Sequence, residues 1–220
     1  MSEFNLIYED SALLVFNKPS GLLSVPGKGP EKADCLRTRV QQVYPEALTV
    51  HRLDMSTSGI LLMARSADLH RSLSIAFANR EVHKRYIAVV EGQISAETGV
   101  LSNDPSTWRL IDLPIATDWV NRPLQKIDPI EGKPSQTRYK VLAYDAATDS
   151  TRVELAPVTG RTHQLRVHLQ SLGHPILGDH LYASPETQAK SPRLLLHASR
   201  LAINHPVTDE QMQWVAEAPF

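Results

Sequence analysis

The sequence predicts an α+β fold built on a mixed, largely antiparallel sheet flanked by helices. Three observations carry this. Strand-like runs outnumber helical ones, the helical stretches do not alternate regularly with the strands, and one run is apolar throughout, as in a strand buried on both faces. At 220 residues the chain is long enough for one large domain that needs no disulfide or metal to hold its core. With 42% hydrophobic and 21% charged residues, disorder is excluded.

The elements follow in order. LIYEDSALLVFNKP reads as two short strands around an Asp10-Ser11 turn, closed by Pro19 and Gly21. Residues 20–30 form a loop rich in Gly and Pro. A helix follows Asp34 as N-cap, with Leu36, Val40 and Val43 on one face and Pro45 as the stop. Residues 48–53 read as a strand, residues 54–58 as a polar loop, and GILLMA at 59–64 as the buried strand. Ser66 caps a second helix through Leu69, Leu73 and Phe77. In the strand at 84–92, Tyr86, Ala88 and Val90 share one face, and Arg85, Ile87 and Val89 the other. Residues 95–135 are the least regular, interrupted by Pro105, Pro114, Pro123, Pro129 and Pro134. Strands resume at 138–144 and 151–158. A Thr159-Gly160 turn leads into a helix that turns Leu165, Leu169 and Leu172 inward and stops at Gly173. Strands near 194–203 and 212–215 finish the chain. Three helices are expected in all.

Composition narrows function by exclusion. A single cysteine, Cys35, rules out a disulfide framework and Cys-rich zinc patterns. The start MSEFNLIYED lacks a basic stretch followed by an apolar core, and no apolar run approaches the roughly 20 residues of a membrane span, so the chain is expected to be soluble and cytoplasmic. A net charge of −1 leaves the partner open, since a local basic groove needs no overall basicity. No glycine loop for phosphates and no G-x-S-x-G elbow is present. His163, His168, His174 and His180 lie close in sequence without metal-ligand spacing, so no metal site is expected.

Three segments are too polar for their setting. In His51-Arg52-Leu53-Asp54 a charged strand end meets a hydroxyl-rich loop between two sheet strands, a stiff platform for a functional side chain. Asp54 fits a nucleophile, a general acid/base, a metal ligand, or simply the cap of the following turn. In Thr159-Gly160-Arg161-Thr162-His163-Gln164, Arg161 is expected in the first helical turn, where a cation opposes the helix dipole, and a carboxylate partner such as Asp54 would account for it. In Lys84-Arg85-Tyr86, an aromatic flanked by cations suits either the core or stacking on a nucleic-acid base.

HRLDMSTSGILLMA at 51–64, KRYIAVVEG at 84–92 and TGRTHQLRVHLQSLGHPILGD at 159–179 resemble the motifs of the RluA family of pseudouridine synthases. NKPSGLLSVPG at 17–27 and RLLLHA at 193–198 resemble its opening and closing motifs. The resemblance implies one pseudouridine synthase catalytic domain over residues 1–220, without a separate S4-type RNA-binding domain. It implies isomerisation of uridine in structured RNA without cofactor or metal, and a monomer that binds neither DNA nor membrane. Residues 112–123 look like those of the family's dual-specificity type, which modifies a 23S rRNA loop and position 32 of tRNA anticodon loops. Asp54 matches the catalytic aspartate, Arg161 the arginine that pairs with it, and Tyr86 the active-site tyrosine. Arg52 matches the arginine that fills the space left by the flipped uridine, with His51 serving similarly or bracing the loop. Arg85, His163 and Leu196 are further candidates for substrate contact, and Arg80, Lys84, Arg85, Arg122 and Lys126 for gripping phosphates. The alternatives are a non-catalytic RNA-binding or ribosome-assembly protein and, last, a glycosidase, which needs a second carboxylate that the motifs do not supply.

Overall fold

The computed structural model describes residues 4–94 and 107–220. These residues divide into two compact units, residues 4–84 with 197–219, and residues 85–94 and 107–196 with Phe220. The chain passes from one unit to the other within two strands, between Lys84 and Arg85 and between Leu196 and His197, and again at its last residue, Phe220.

The first unit is built around β4 (Ser58–Ala64), in which every residue is buried. β2 (Leu13–Lys18) pairs antiparallel along one edge of it, and β1 (Asn5–Glu9) along β2. The other edge takes the two-residue β3 (Leu48–Thr49) antiparallel and β11 (Leu196–Asn204) parallel, with β12 (Gln211–Val215) beyond β11. Period-two alternation sorts the apolar run onto two faces. Leu13, Val15, Ile60, Leu62 and Ala64 pack with Leu73 of α2 (Ala67–Ala78), whereas Leu14, Phe16, Leu61 and Met63 pack with Leu36 and Val40 of α1 (Leu36–Gln41). Both faces are covered, so β4 reads as continuously apolar. Gly59 has φ +113°, and a Cβ there would come within 2.3 Å of the Ala198 carbonyl oxygen, so the β4–β11 approach requires glycine.

The second unit is an antiparallel meander of β5 (His83–Glu91), β10 (Ser150–Pro157), β9 (Gln136–Asp145) and β6 (Arg109–Asp112) in that spatial order. A separate hairpin joins β7 (Ile115–Thr117) to β8 (Gln125–Ile127). α3 (Gln164–Ser171) brings Leu165 and Leu169 into a core with Ala88, Val90, Val153 and Leu155. The short α4 (Pro185–Ala189), capped by Ser184, follows.

Several expectations shift. The first helix is capped by Cys35 rather than Asp34, because Cys35 and Thr38 form a reciprocal capping box while the Asp34 carboxylate pairs with Arg39 at 2.7 Å. The strand expected at 48–53 stops at Thr49, since the Leu53 amide bonds the Ser24 hydroxyl instead of a neighbouring strand. α3 begins at Gln164, so Arg161 lies in the turn before the helix and not in its first turn. α4 is a fourth α-helix beyond the three expected. Of the irregular region, residues 95–106 lie outside the described residues, and the rest holds β6 to β8.

Candidate active site

In the first unit the loop that carries Asp54 is held by its backbone. Ser24 Oγ donates to the Leu53 carbonyl at 2.6 Å and accepts from the Leu53 amide at 3.0 Å. The Met55 carbonyl accepts from the Gly21 amide at 2.8 Å and from Lys18 Nζ at 3.2 Å. Ser20 Oγ donates to the Ser56 carbonyl at 2.7 Å, and the Thr57 amide closes a turn on the Asp54 carbonyl. Lys18 is wholly buried, and its ammonium also donates to the carbonyls of Pro19 and Leu22. These carbonyl dipoles help to solvate the buried ammonium. The segment NKPSGLLS is therefore a clamp on both neighbours of Asp54, whose own side chain stays half-buried. Ser58 and His197, from two of the motifs singled out in sequence, bond each other at 2.8 Å, and His197 Nε2 donates to the Ala216 carbonyl.

His51 and Arg52 share this loop. Arg52 is exposed and has no ion pair or hydrogen-bond partner among the described residues. His51 is braced: Nε2 accepts the Leu62 amide at 3.0 Å, and the ring stacks on Phe77 with centroids 4.8 Å apart. Desolvation, with the nearby Lys84 ammonium, pushes its pKa down to about 3, so the imidazole is neutral at physiological pH. Burial also lowers the pKa of Lys84, which sits 5.7 Å from the Phe77 ring centre. Arg80 is exposed in a left-handed turn.

In the second unit the turn before α3 is held the same way, from a buried side chain. Gln164 Oε1 accepts from the Arg161 amide at 3.0 Å and the Thr159 hydroxyl at 2.7 Å, while Nε2 donates to the Gln136 carbonyl and Thr137 Oγ1. This pins the Arg161 backbone and leaves its side chain exposed. His163 follows in the left-handed region at φ +54°, with Nδ1 2.7 Å from the Tyr182 hydroxyl. Tyr182 is fixed in turn: Asp179 accepts its amide and that of Leu181, and forms a buried bidentate pair with Arg166 at 2.8 and 2.6 Å. Tyr86 stands on β5 opposite Leu155 of β10, the strand that leads into the Arg161 turn. Arg85, on the other face, lies 3.6 Å from Glu154 and over the Trp108 ring. Leu196 is buried in the core, and Lys126 pairs with Asp128 at 3.0 Å. Among the described residues no cluster of His, Cys, Asp or Glu could hold a metal, and no helix is long and apolar enough to cross a membrane.

Lys18, Ser24, Gln164 and Tyr182 were not singled out from sequence. Each lies inside or beside a motif that was, but a buried lysine or glutamine looks like a surface residue until the carbonyls around it are known.

The first unit thus presents a half-buried carboxylate on a clamped turn, an acid/base or nucleophilic group, and the second a pinned turn with an exposed arginine and a strand tyrosine, cationic and aromatic groups of the kind that suit an anionic, base-bearing polymer. The chain belongs to the RNA pseudouridylate synthase family, whose model matches residues 12–171, and is an RNA pseudouridine synthase, an isomerase. It is 50% identical over 215 residues to the dual-specificity RNA pseudouridine synthase RluA of Escherichia coli strain K12, covering 98% of this chain and 93% of that one. To the RluA of Yersinia pestis it is 48% identical, covering 98% and 99%. Among solved structures, human RNA pseudouridylate synthase domain containing 1 superposes with TM-score 0.79 at 29% identity, covering 100% of this chain and 85% of that one.

Proposed function

We propose that this enzyme has dual specificity, isomerising a uridine in a 23S rRNA loop and the uridine at position 32 of tRNA anticodon loops. The observation that carries this reading is the near-full-length identity to relatives named as dual-specificity enzymes. Asp54 acts on the flipped nucleotide so that the N1–C1′ bond breaks. The uracil turns, a C5–C1′ bond forms, the C5 proton leaves and N1 takes up a proton. Product and substrate are isomers, so the balance needs no oxidant, reductant or energy source. Arg161 orients the carboxylate, Tyr86 stacks on the uracil, and Arg52 fills the gap left in the RNA stack. Arg52's exposure and its lack of a partner among the described residues suit that task. His51 has the bracing role, because its acceptor nitrogen and ring face are already committed. The enzyme works as a cytoplasmic monomer.

The test is tritium release from RNA labelled at uridine C5, offering a 23S rRNA fragment and an unmodified anticodon stem-loop to wild type and Asp54→Asn. Release from both RNAs by wild type, and a drop on the order of 10⁴-fold in the variant at unchanged thermal stability, is expected. Release from one RNA alone removes dual specificity. Release by the variant at the wild-type rate removes Asp54 from the chemistry.

A further inference from the structure

We propose that the tip of the β7–β8 hairpin is a nucleobase-stacking site, in which the open face of the Trp119 indole takes an unpaired base of the substrate RNA. The proposal rests on the RNA-modifying reading above and deepens it. Trp119 is 70% exposed. The Arg122 guanidinium lies 3.6 Å from its ring centre and covers one face, leaving the other to solvent. Among the described residues Arg122 has no carboxylate partner, whereas Lys126 is paired with Asp128 and the Asp118 carboxylate accepts the amide and side chain of Asn121. The Arg122 cation therefore sits against the aromatic ring, while Asp118 keeps its own charge and is hydrogen-bonded to Asn121. A base over the ring with its phosphate near the guanidinium satisfies both at once.

The tip is formed before any ligand arrives. The Asp118 amide donates to the Leu124 carbonyl and the Leu124 amide to the Asn121 carbonyl, each at 3.0 Å, so the ring is presented by closed backbone. Little ordering remains to be done on binding. The hairpin is also tied to the Arg161 turn: the Gln125 amide donates to the Tyr182 hydroxyl at 2.9 Å, and that hydroxyl meets His163. A base held on Trp119 is thus registered against the segment that presents Arg161.

The full-length chain, with Trp119→Ala, Trp119→Phe and the exposed control Ile130→Ala, would be titrated with an anticodon stem-loop and with a fully paired duplex of the same length. Trp119→Ala is expected to raise Kd and KM for the stem-loop roughly tenfold while kcat moves less than about twofold. Trp119→Phe should recover most of the affinity, and Ile130→Ala all of it. The stem-loop, and not the duplex, should quench tryptophan fluorescence in wild type, and both Trp119 variants should lose the quench. Wild-type affinity in Trp119→Ala would overturn the proposal, as would a self-association of wild type that Trp119→Ala abolishes at unchanged RNA affinity. Tritium release by wild type separates the two readings. Its absence would overturn the enzymatic one, while stacking stands or falls on Kd and quench.

Discussion

The loop that carries Asp54 and the hairpin that carries Trp119 are held in opposite ways. Both neighbours of Asp54 are fixed from outside, by hydroxyl, ammonium and amide groups of residues 18–24 reaching across to the carbonyls of 53, 55 and 56. The hairpin tip is fixed from inside, by Asp118, Asn121 and Leu124. Bond-breaking chemistry tolerates errors of only about half an ångström, so its platform is tied to the sheet through side chains remote in sequence. A stacking surface needs an exposed ring more than an exact place. The difference says where substitutions are costly: in the clamp rather than at the tip.

The largest break in that comparison is Lys18→Met. It takes the ammonium from the buried Leu22 contact and the part-buried Pro19 carbonyl and leaves the Met55 carbonyl with the Gly21 amide alone, at a cost of about 2–3 kcal/mol in stability. Turnover should fall more than RNA affinity, because the Asp54 loop loosens while the exposed cations stay. Denaturant midpoints with tritium release and Kd check this. A variant with wild-type stability and kcat would show that Lys18 is not the clamp.

A smaller effect sharpens the other side. Tyr182→Phe keeps the ring under Arg166 but removes the hydroxyl shared by the Gln125 amide and His163. The expected cost is about 1–2 kcal/mol. Hairpin and Arg161 turn then lose their common anchor, so kcat and KM for the stem-loop should both worsen several-fold, about as far as one lost hydrogen bond allows. A change in stability alone would leave Tyr182 with a purely structural role.

How much of this was legible depended on whether the signal was local. The apolar run 59–64 of β4 and the Ser66 cap on α2 could be read directly, because burial on two faces and N-capping each leave a pattern within a few residues. The cap of α1 could not: Asp34 is the stronger capping type by itself, and only its pairing with Arg39 diverts it. The start of α3 was misplaced because Gln164 holds the preceding turn in a non-helical shape through Gln136 and Thr137, 28 and 27 residues away in the chain. Asp54, Tyr86 and Arg161 were legible as motif residues. Lys18 and Ser24 were not, since their meaning lies in which carbonyls they meet. Long-range pairs are equally silent in sequence: Asp179 is the acid of the buried Arg166 pair, and Glu91 meets Lys190 and Thr187.

The smallest effect concerns pH and falls on the platform alone. His51 has a pKa of about 3 in the folded chain and an ordinary value near 6.5 when unfolded. Between those values the unfolded state binds the extra proton, so stability is fully present above pH 6.5 and declines as pH falls toward 3. The groups around the ring sharpen rather than oppose this, since the Lys84 ammonium also disfavours the imidazolium and Phe77 offers no charge. His51→Gln keeps an acceptor for the Leu62 amide and does not titrate. Melting temperatures followed from pH 7 to pH 4.5 should therefore fall less steeply in the variant than in wild type. His168, whose pKa burial also lowers, contributes equally to both curves and cancels in their difference. In the same range the Trp119 fluorescence quench by RNA should change equally in the two proteins, because His51 braces the Asp54 loop and not the hairpin. Parallel melting curves would mean that His51 exchanges its proton without strain, and that the brace is held by Phe77 stacking rather than by the neutral ring.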